Sequence, residues 1–389
     1  MKKLFEVIFA ISVALCLNSC NKNDWDGRYD DVFIYWGSGF NDLSGSLRSN
    51  VDEIASGILP AKGAHSAVLA VTHNTSSGYK VPTDVCVIRM YLDNGVAVRD
   101  TVDRYGGDVT DTDPAFFRDV LNSISTDYPS DHYSLLYSSH GSGWLPQKYY
   151  TFDPTGGKSG GRSVQSIGIQ CRPDNSTEEM DFIEFASHIP FHMDCIILDA
   201  CLMGGVEVAY ELRNVTDYLI SSTTEINSSG FNYKRLIQRI MQEHRNYSAF
   251  CQDYLDKGND ATISVVDCSG LENLASVTAG LVDKYRDAID GINRNNVQRY
   301  YRKNAHWFYD FRDIFAKANA DTRDLAMLDS ALEKCVVCKM STKSFMKNSS
   351  GFDILNYSGL SMYIPKSTWT ELNGYYKTLQ WNVATGLVE

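Results

Sequence analysis

The sequence predicts an α/β protein with a mostly parallel central sheet flanked by helices, followed by a helix-rich C-terminal extension. Three observations predict it. Strand-like and helix-like segments alternate along most of the 389 residues, as β-α-β units with a helix-covered parallel sheet require. The runs Leu135–Leu136 and Ile196–Leu198 are apolar at every position, which suits strands buried on both faces. Helix-start chemistry falls where the alternation needs it, with Asp113 as N-cap and Pro114 as the first helical residue.

In order, DVFIYWG is a first strand and Leu43 to Ile58 carries helical periodicity. SAVLAVTHN, DVCVIRMYL and AVRDTVDRYG are strand-like, and DPAFFRDVLNSISTDY is a helix. HYSLLYSSH is the next strand, EEMDFIEFASHI a helix and DCIILDA a further strand. The GVEVAYELRN helix, the DYLISSTT and ATISVVD strands and a long helical series follow, with GLSMYIP as a late strand. One segment breaks the pattern. Residues 141–177 are rich in Gly, Ser and Pro and lack a helical period; a loop of that length inside a compact domain is usually functional. It contains GGKSGGRS, whose glycines do not have phosphate-loop spacing.

The formal charge of −12 argues against nucleic-acid binding, because phosphates would be repelled. The N-terminus has two lysines, an apolar run from Leu4 to Leu17 and then Asn18-Ser19-Cys20. The run is short for a bilayer span and reads as a signal peptide. Its end resembles a bacterial lipobox, with Cys20 as the acylated residue. Residues 1–20 are thus expected to be a lipoprotein signal peptide and 21–31 a polar tether. The expected location is the cell envelope, on a membrane held by a lipid anchor. The remaining eight of ten cysteines are scattered, unlike a disulfide scaffold. Cys335 to Cys338 has redox or zinc spacing but no second pair, and His188 and His192 have i, i+4 spacing in an apolar stretch. Neither is assigned a metal.

Cys201 and His140 carry the chemistry. Each closes an apolar strand and precedes a glycine-rich turn. In an open α/β sheet, ligands collect beyond the carboxyl ends of the strands. If the two strands are neighbours, thiol and imidazole share one crevice. The thiolate is the reactive form of cysteine, and an adjacent histidine or a helix N-terminus favours it. His140 can take the thiol proton and return it to an amine leaving group. The N–H groups of Gly141 and Cys201 are the natural oxyanion donors. The bland alternative for each residue is structural, a packing thiol and a satisfied histidine.

The blocks YSLLYSSHGSGW and ILDACLMGGVEVAYELRNVTDYLISS resemble the clostripain family of cysteine peptidases, which have a caspase-like fold. The likeness continues through VFIYWGSGFNDLS, EINSSGFNYKRL, ATISVVDCSGLENLA and GLSMYIP. The resemblance implies a caspase-like catalytic domain over residues 32–270, with residues 271–389 packed on it. It implies His140 and Cys201 as a catalytic dyad and Asp199 as the acid of the primary specificity pocket, with Glu225 as a weaker contributor. Substrates would be polypeptides cut after Arg or Lys, through an acyl-enzyme thioester. Maturation would be a self-cleavage between His140 and Cys201, at Lys158 or Arg162 because glycines flank them, or at Lys148 or Arg172. Calcium dependence occurs in the family, but no D-x-D-x-D-G loop is present and no calcium site or other cofactor is assigned. Gly204 and Gly205 depart from an ideal helix start and are expected to loosen it. A monomer is expected. The alternatives are a catalytically idle surface lipoprotein that binds polypeptides, and a caspase-like enzyme with another pocket preference.

Overall fold

A computed structural model describes residues 26–77, 81–147, 149, 166–171, 177–241, 245–258, 260–302 and 307–389. Cys20, Lys148, Lys158, Arg162 and Arg172, and with them the lipidation and self-cleavage expectations, lie outside these residues.

Nine strands form the main sheet: β1 (Asp31–Ser38), β2 (Ser66–His73), β3 (Val85–Asp93), β4 (Val96–Tyr105), β5 (Tyr133–Ser138), β6 (Met193–Asp199), β7 (Thr216–Ser221), β8 (Thr262–Asp267) and β9 (Val336–Ser341). Their spatial order is β9-β8-β7-β6-β5-β1-β2-β3-β4. The five central strands, β2, β1, β5, β6 and β7, are mutually parallel. An antiparallel pair closes each edge. Only β3 and β8 run against the rest, so the sheet is mostly parallel in strand direction. The outer strand β4 is largely exposed and carries Arg99, Asp100, Asp103 and Arg104, charges that discourage edge-to-edge pairing.

Alternation along β1 shows why both faces must be covered. Val32, Ile34 and Trp36 enter one apolar core, and Phe33 and Tyr35 the other. The second core is closed by α1 (Ser44–Ala55), α5 (Tyr233–Ile240) and α6 (Tyr247–Asp256). The first is closed by α2 (Pro114–Asp127), α3 (Phe182–Ser187), α4 (Val206–Leu212), α7 (Leu271–Asp290), α8 (Phe311–Lys317), α9 (Thr322–Cys335), α10 (Thr370–Tyr376) and α11 (Gln380–Thr385). The α2 start is as expected: the Asp113 side chain accepts from Phe116 N–H at 2.9 Å, with Pro114 in the first turn. Both sides of residue 270 contribute to one sheet, because β9 pairs with β8.

Several segments differ from expectation, among them β9, which falls inside the series read as helical. Thr177–Met180 is a strand paired with Ile167–Cys171, and α3 begins only at Phe182. Asp181 separates them by accepting from Ile183 N–H at 3.0 Å; a cap that strong overrides helical periodicity upstream. GLSMYIP contributes only Ser361–Met362, paired with Tyr309–Asp310 outside the main sheet.

The chain enters the sheet at β1, moves through α1 to β2 on one side, and later returns to β5 on the other. The order therefore reverses between β1 and β5. In an open α/β sheet that switch point, beyond the strand carboxyl ends, is where a crevice forms.

Candidate active site

Register brings His140 and Cys201 together. Ser138 of β5 pairs with Asp199 of β6, and each residue of interest lies two positions further on. Neighbouring strands are about 4.8 Å apart. The Ser139 N–H donates to Asp199 O at 3.2 Å, carrying the contact past the strand ends. Gly141 sits directly on the Cys201 turn. A Cβ there would lie 2.8 Å from Ala200 Cβ and 3.0 Å from Cys201 O, so only glycine lets the two loops approach this closely.

The segment after His140 is pinned from its other side. Gly168 N–H donates to His140 O at 3.2 Å and to Ser139 Oγ at 3.1 Å. Ser142 N–H donates to Ser166 O at 2.9 Å. The far end of the Gly-rich segment is therefore stitched to the histidine loop by backbone bonds.

Cys201 stands at a strained turn. Leu202, the next residue, is fully buried and has φ = +65°, a left-handed conformation that is costly for a bulky side chain. Its N–H donates to Thr224 O at 3.0 Å, which holds the turn. Gly204 N–H donates to Ser222 O at 2.7 Å, and a Gly204 Cβ would fall 2.5 Å from Thr223 N. Gly204 thus lets this junction pack against the segment that follows β7. Helix α4 begins only at Val206, with Gly205 as N-cap.

The Cys201 thiol contacts Ile226, accepting from its N–H at 3.4 Å and donating to its O at 3.7 Å. Burial pushes the thiol up to about 12, with the Glu225 and Asp199 charges acting the same way. His140 Nε2 lies 2.8 Å from Asp42 Oδ1. Among the described residues no hydrogen bond joins thiol and imidazole. The backbone N–H groups of Gly141 and Cys201 have no protein acceptor among the described residues.

The two acids expected in the pocket differ. Asp199 is buried (7% exposed) and accepts from Ser138 Oγ at 2.5 Å and from the Tyr233 hydroxyl. Burial raises its carboxyl above the usual range, and these two hydroxyls partly offset the rise. No cation forms an ion pair with it among the described residues. Gly230, with φ = +56°, covers it: a Cβ there would meet Tyr233 OH at 2.5 Å and Asp199 Oδ2 at 3.1 Å. Glu225 is instead clamped by Arg302 through two bonds of 2.7 Å.

Sequence reasoning missed Asp42, Leu202, Tyr233 and Arg302. Asp42 had a usable signal, since it follows the carboxyl end of β1, the neighbour of β5. The other three are set by long-range contacts or by backbone conformation. The two histidines with metal-ligand spacing do not converge. Helix α3 ends at Ser187, and His192 Nε2 contacts Asp217 Oδ1 at 2.9 Å, while His188 Nδ1 bonds Glu184 O at 2.8 Å. Cys335 is buried at the end of α9, whereas the Cys338 thiol contacts Cys251.

A thiol and an imidazole just beyond the ends of two neighbouring parallel strands are the residue types that cysteine peptidases use as nucleophile and base. A model of the clostripain family (Peptidase_C11) matches residues 87–384; the chain belongs to that family. It is 25% identical over 235 residues to the clostripain of Hathewaya histolytica, covering 54% of this chain and 42% of that protein. The chain thus spans about two-fifths of that relative's length. An X-ray structure of an inactive zymogen C11 protease from Parabacteroides distasonis is similar with TM-score 0.78 and 24% identity, over 92% of this chain and 98% of that one. A secreted C11 cysteine protease from Bacteroides thetaiotaomicron, in complex with an irreversible peptide inhibitor, is similar with TM-score 0.76 and 21% identity, over 92% and 99%. These two likenesses establish the caspase-like C11 fold.

Proposed function

We propose that this chain is a cysteine endopeptidase that cleaves polypeptides after Arg or Lys with His140 and Cys201 as its catalytic dyad. The observation that carries the reading is the register: both residues lie two positions beyond the paired Ser138 and Asp199. His140 removes the thiol proton as Sγ attacks the scissile carbonyl carbon. The oxyanion takes hydrogen bonds from the Gly141 and Cys201 N–H groups, which are free of protein acceptors among the described residues. The imidazolium then protonates the departing amine as the C–N bond breaks. Water, deprotonated by the imidazole, hydrolyses the thioester and regenerates the thiol.

Asp199 supports the basic preference. A buried carboxylate with hydroxyl partners and no ion-paired cation is raised by desolvation, which the two hydroxyls and the more distant charge of Lys257 only partly offset. A substrate guanidinium or ammonium relieves that cost while gaining a charge-assisted hydrogen bond.

The resting thiol supports latency. It is protonated, only partly exposed and bonded to Ile226, and the Parabacteroides relative is itself an inactive zymogen. Self-cleavage in the 141–177 segment, at Lys158, Arg162, Lys148 or Arg172, is the activating step in this reading. The protein works as a monomer, without a cofactor, and Cys20 carries the lipid that holds it to a membrane of the bacterial envelope.

Mass spectrometry of the purified protein after incubation tests the reading. The wild type loses intact mass through a cut after one of the four basic residues, and Cys201→Ala does not. A Cys201→Ala protein that still processes itself and hydrolyses an Arg-ending peptide normally overturns the assignment. Incorporation of radiolabelled palmitate into the wild type but not into Cys20→Ala checks the anchor.

A further inference from the structure

The loop after β1 delivers a carboxylate to the catalytic imidazole, and nothing in the dyad chemistry above uses it. Asp42 Oδ1 lies 2.8 Å from His140 Nε2. The contact is not a chance meeting of mobile surface chains. Asn41, the preceding residue, is buried, and its side-chain Nδ2 donates to Ser38 O at 3.0 Å and Ile169 O at 2.6 Å. Its Oδ1 accepts from Leu43 N–H at 2.8 Å. Gly39 N–H donates to His73 O at 2.8 Å, and a Cβ at Gly39 would meet Asn74 Oδ1 at 2.7 Å and His73 O at 2.9 Å. Asp42 therefore projects from a loop fastened on both sides of it. The imidazole is 21% exposed and the carboxylate 44%, so the contact sits at the surface and owes its geometry to the fastened loop.

The chemistry of the contact sets the tautomer. A carboxylate can only accept, so Nε2 carries the proton. The neutral ring then presents Nδ1 as its unprotonated nitrogen, and Nδ1 has no protein partner among the described residues. We propose that Asp42 is a positioning residue for His140: it holds the Nε2–H tautomer, leaves Nδ1 as acceptor for the Cys201 proton, and stabilises the imidazolium that forms. The Sγ–H proton passes to Nδ1 as the S–C bond forms, and the same proton goes to the amine as the C–N bond breaks. Asp42 stays ionised throughout. This assignment rests on the peptidase reading of His140 and Cys201. The opposite role is a latch, in which Asp42 holds the ring away from the thiol in the resting protein and must be released.

Full-length wild type, Asp42→Ala, Asp42→Asn and Asp42→Glu separate these roles. Each is processed with immobilised trypsin, which is then removed, so that differences in self-cleavage do not enter. Two readouts are taken: kcat and KM on an Arg-ending peptide amide across pH, and the rate of Cys201 alkylation by iodoacetamide, mapped by peptide mass spectrometry. The mapping matters because Cys86 and Cys338 are also partly exposed. Positioning predicts a loss of kcat of about 10- to 100-fold in Asp42→Ala with little change in KM. It also predicts slower Cys201 alkylation and partial recovery in Asp42→Glu. The other charged groups around the site are Asp199 and the Glu225–Arg302 pair, unchanged in all variants. Unchanged or faster turnover and alkylation in Asp42→Ala overturns the proposal, and a faster result identifies a latch. A wild type that fails to cut the peptide sinks the peptidase reading, while the alkylation arm still decides the role of Asp42.

Discussion

Two carboxylates lie beside the same thiol, and the structure treats them in opposite ways. Glu225 is neutralised within the protein, clamped by both arms of Arg302. Asp199 is buried deeper and receives only hydroxyl hydrogen bonds, from Ser138 and Tyr233. A carboxylate paired internally is a structural brace. A desolvated carboxylate held without a cation is costly, and the cost persists unless something else benefits from it. In the proposed reading Asp199 is the group a basic substrate side chain would satisfy, whereas Glu225 braces the loop whose Ile226 backbone holds the thiol.

That contrast can be broken at either acid. The largest effect is expected at Asp199. Asp199→Asn should lower kcat/KM for an Arg-ending peptide by about 100- to 1,000-fold, the scale of a lost desolvated charge pair, and should compress the preference for Arg over a neutral residue. Competition assays with Arg, Lys and Gln peptides check this. Arg302→Ala should act mainly on the fold. It strands Glu225, which is only 12% exposed, so urea denaturation should show a loss of about 1–3 kcal/mol. The preference for basic peptides should survive. A loss of Arg preference in this variant larger than in Asp199→Asn would reverse the roles of the two acids. The smallest effect is expected at Tyr233→Phe, which removes one donor to Asp199. Stability should fall by about 1 kcal/mol, and the order of substrate preference should hold.

A third acid sharpens the comparison through pH. Glu207, in the first turn of α4, is fully buried, accepts from Tyr363 N–H and Tyr376 OH at 2.8 Å, and has its carboxyl pushed up by burial to about 7. Its folded-state value lies above the unfolded one, so the folded protein holds a proton that the unfolded chain releases. The resulting stabilisation is complete below about pH 4.5 and declines as pH rises toward 7. Glu207→Gln should therefore show a flatter dependence of unfolding free energy on pH across that window. An unchanged slope would mean that Glu207 is not the group responsible.

Much of the scaffold was legible in the sequence, because apolar runs and helix caps are local signals. The runs at Leu135–Leu136 and Ile196–Leu198 are the buried central strands β5 and β6, and Asp113 caps α2. The register that unites Ser138 with Asp199 was not legible, but strand-end placement was enough to put His140 and Cys201 beyond the carboxyl ends of their strands. Illegible features depend on partners distant in sequence. Arg302 reaches Glu225 across 77 positions, and Asp42 reaches His140 across 98. The left-handed Leu202 was hidden because its side chain does not favour that conformation; Thr224 O holds it there. Glu178–Met180 carries a helical pattern in the sequence because periodicity is ambiguous over so few residues, and Asp181 decides the boundary.

The most direct measurement is covalent labelling with a peptidyl chloromethyl ketone ending in Arg, followed by peptide mapping. One adduct is expected, on Cys201 of the processed protein, and it weakens strongly in Asp199→Asn and with a ketone ending in Glu. Labelling at Cys338 or Cys86 in place of Cys201, or equal labelling by the Arg and Glu reagents, would contradict that expectation.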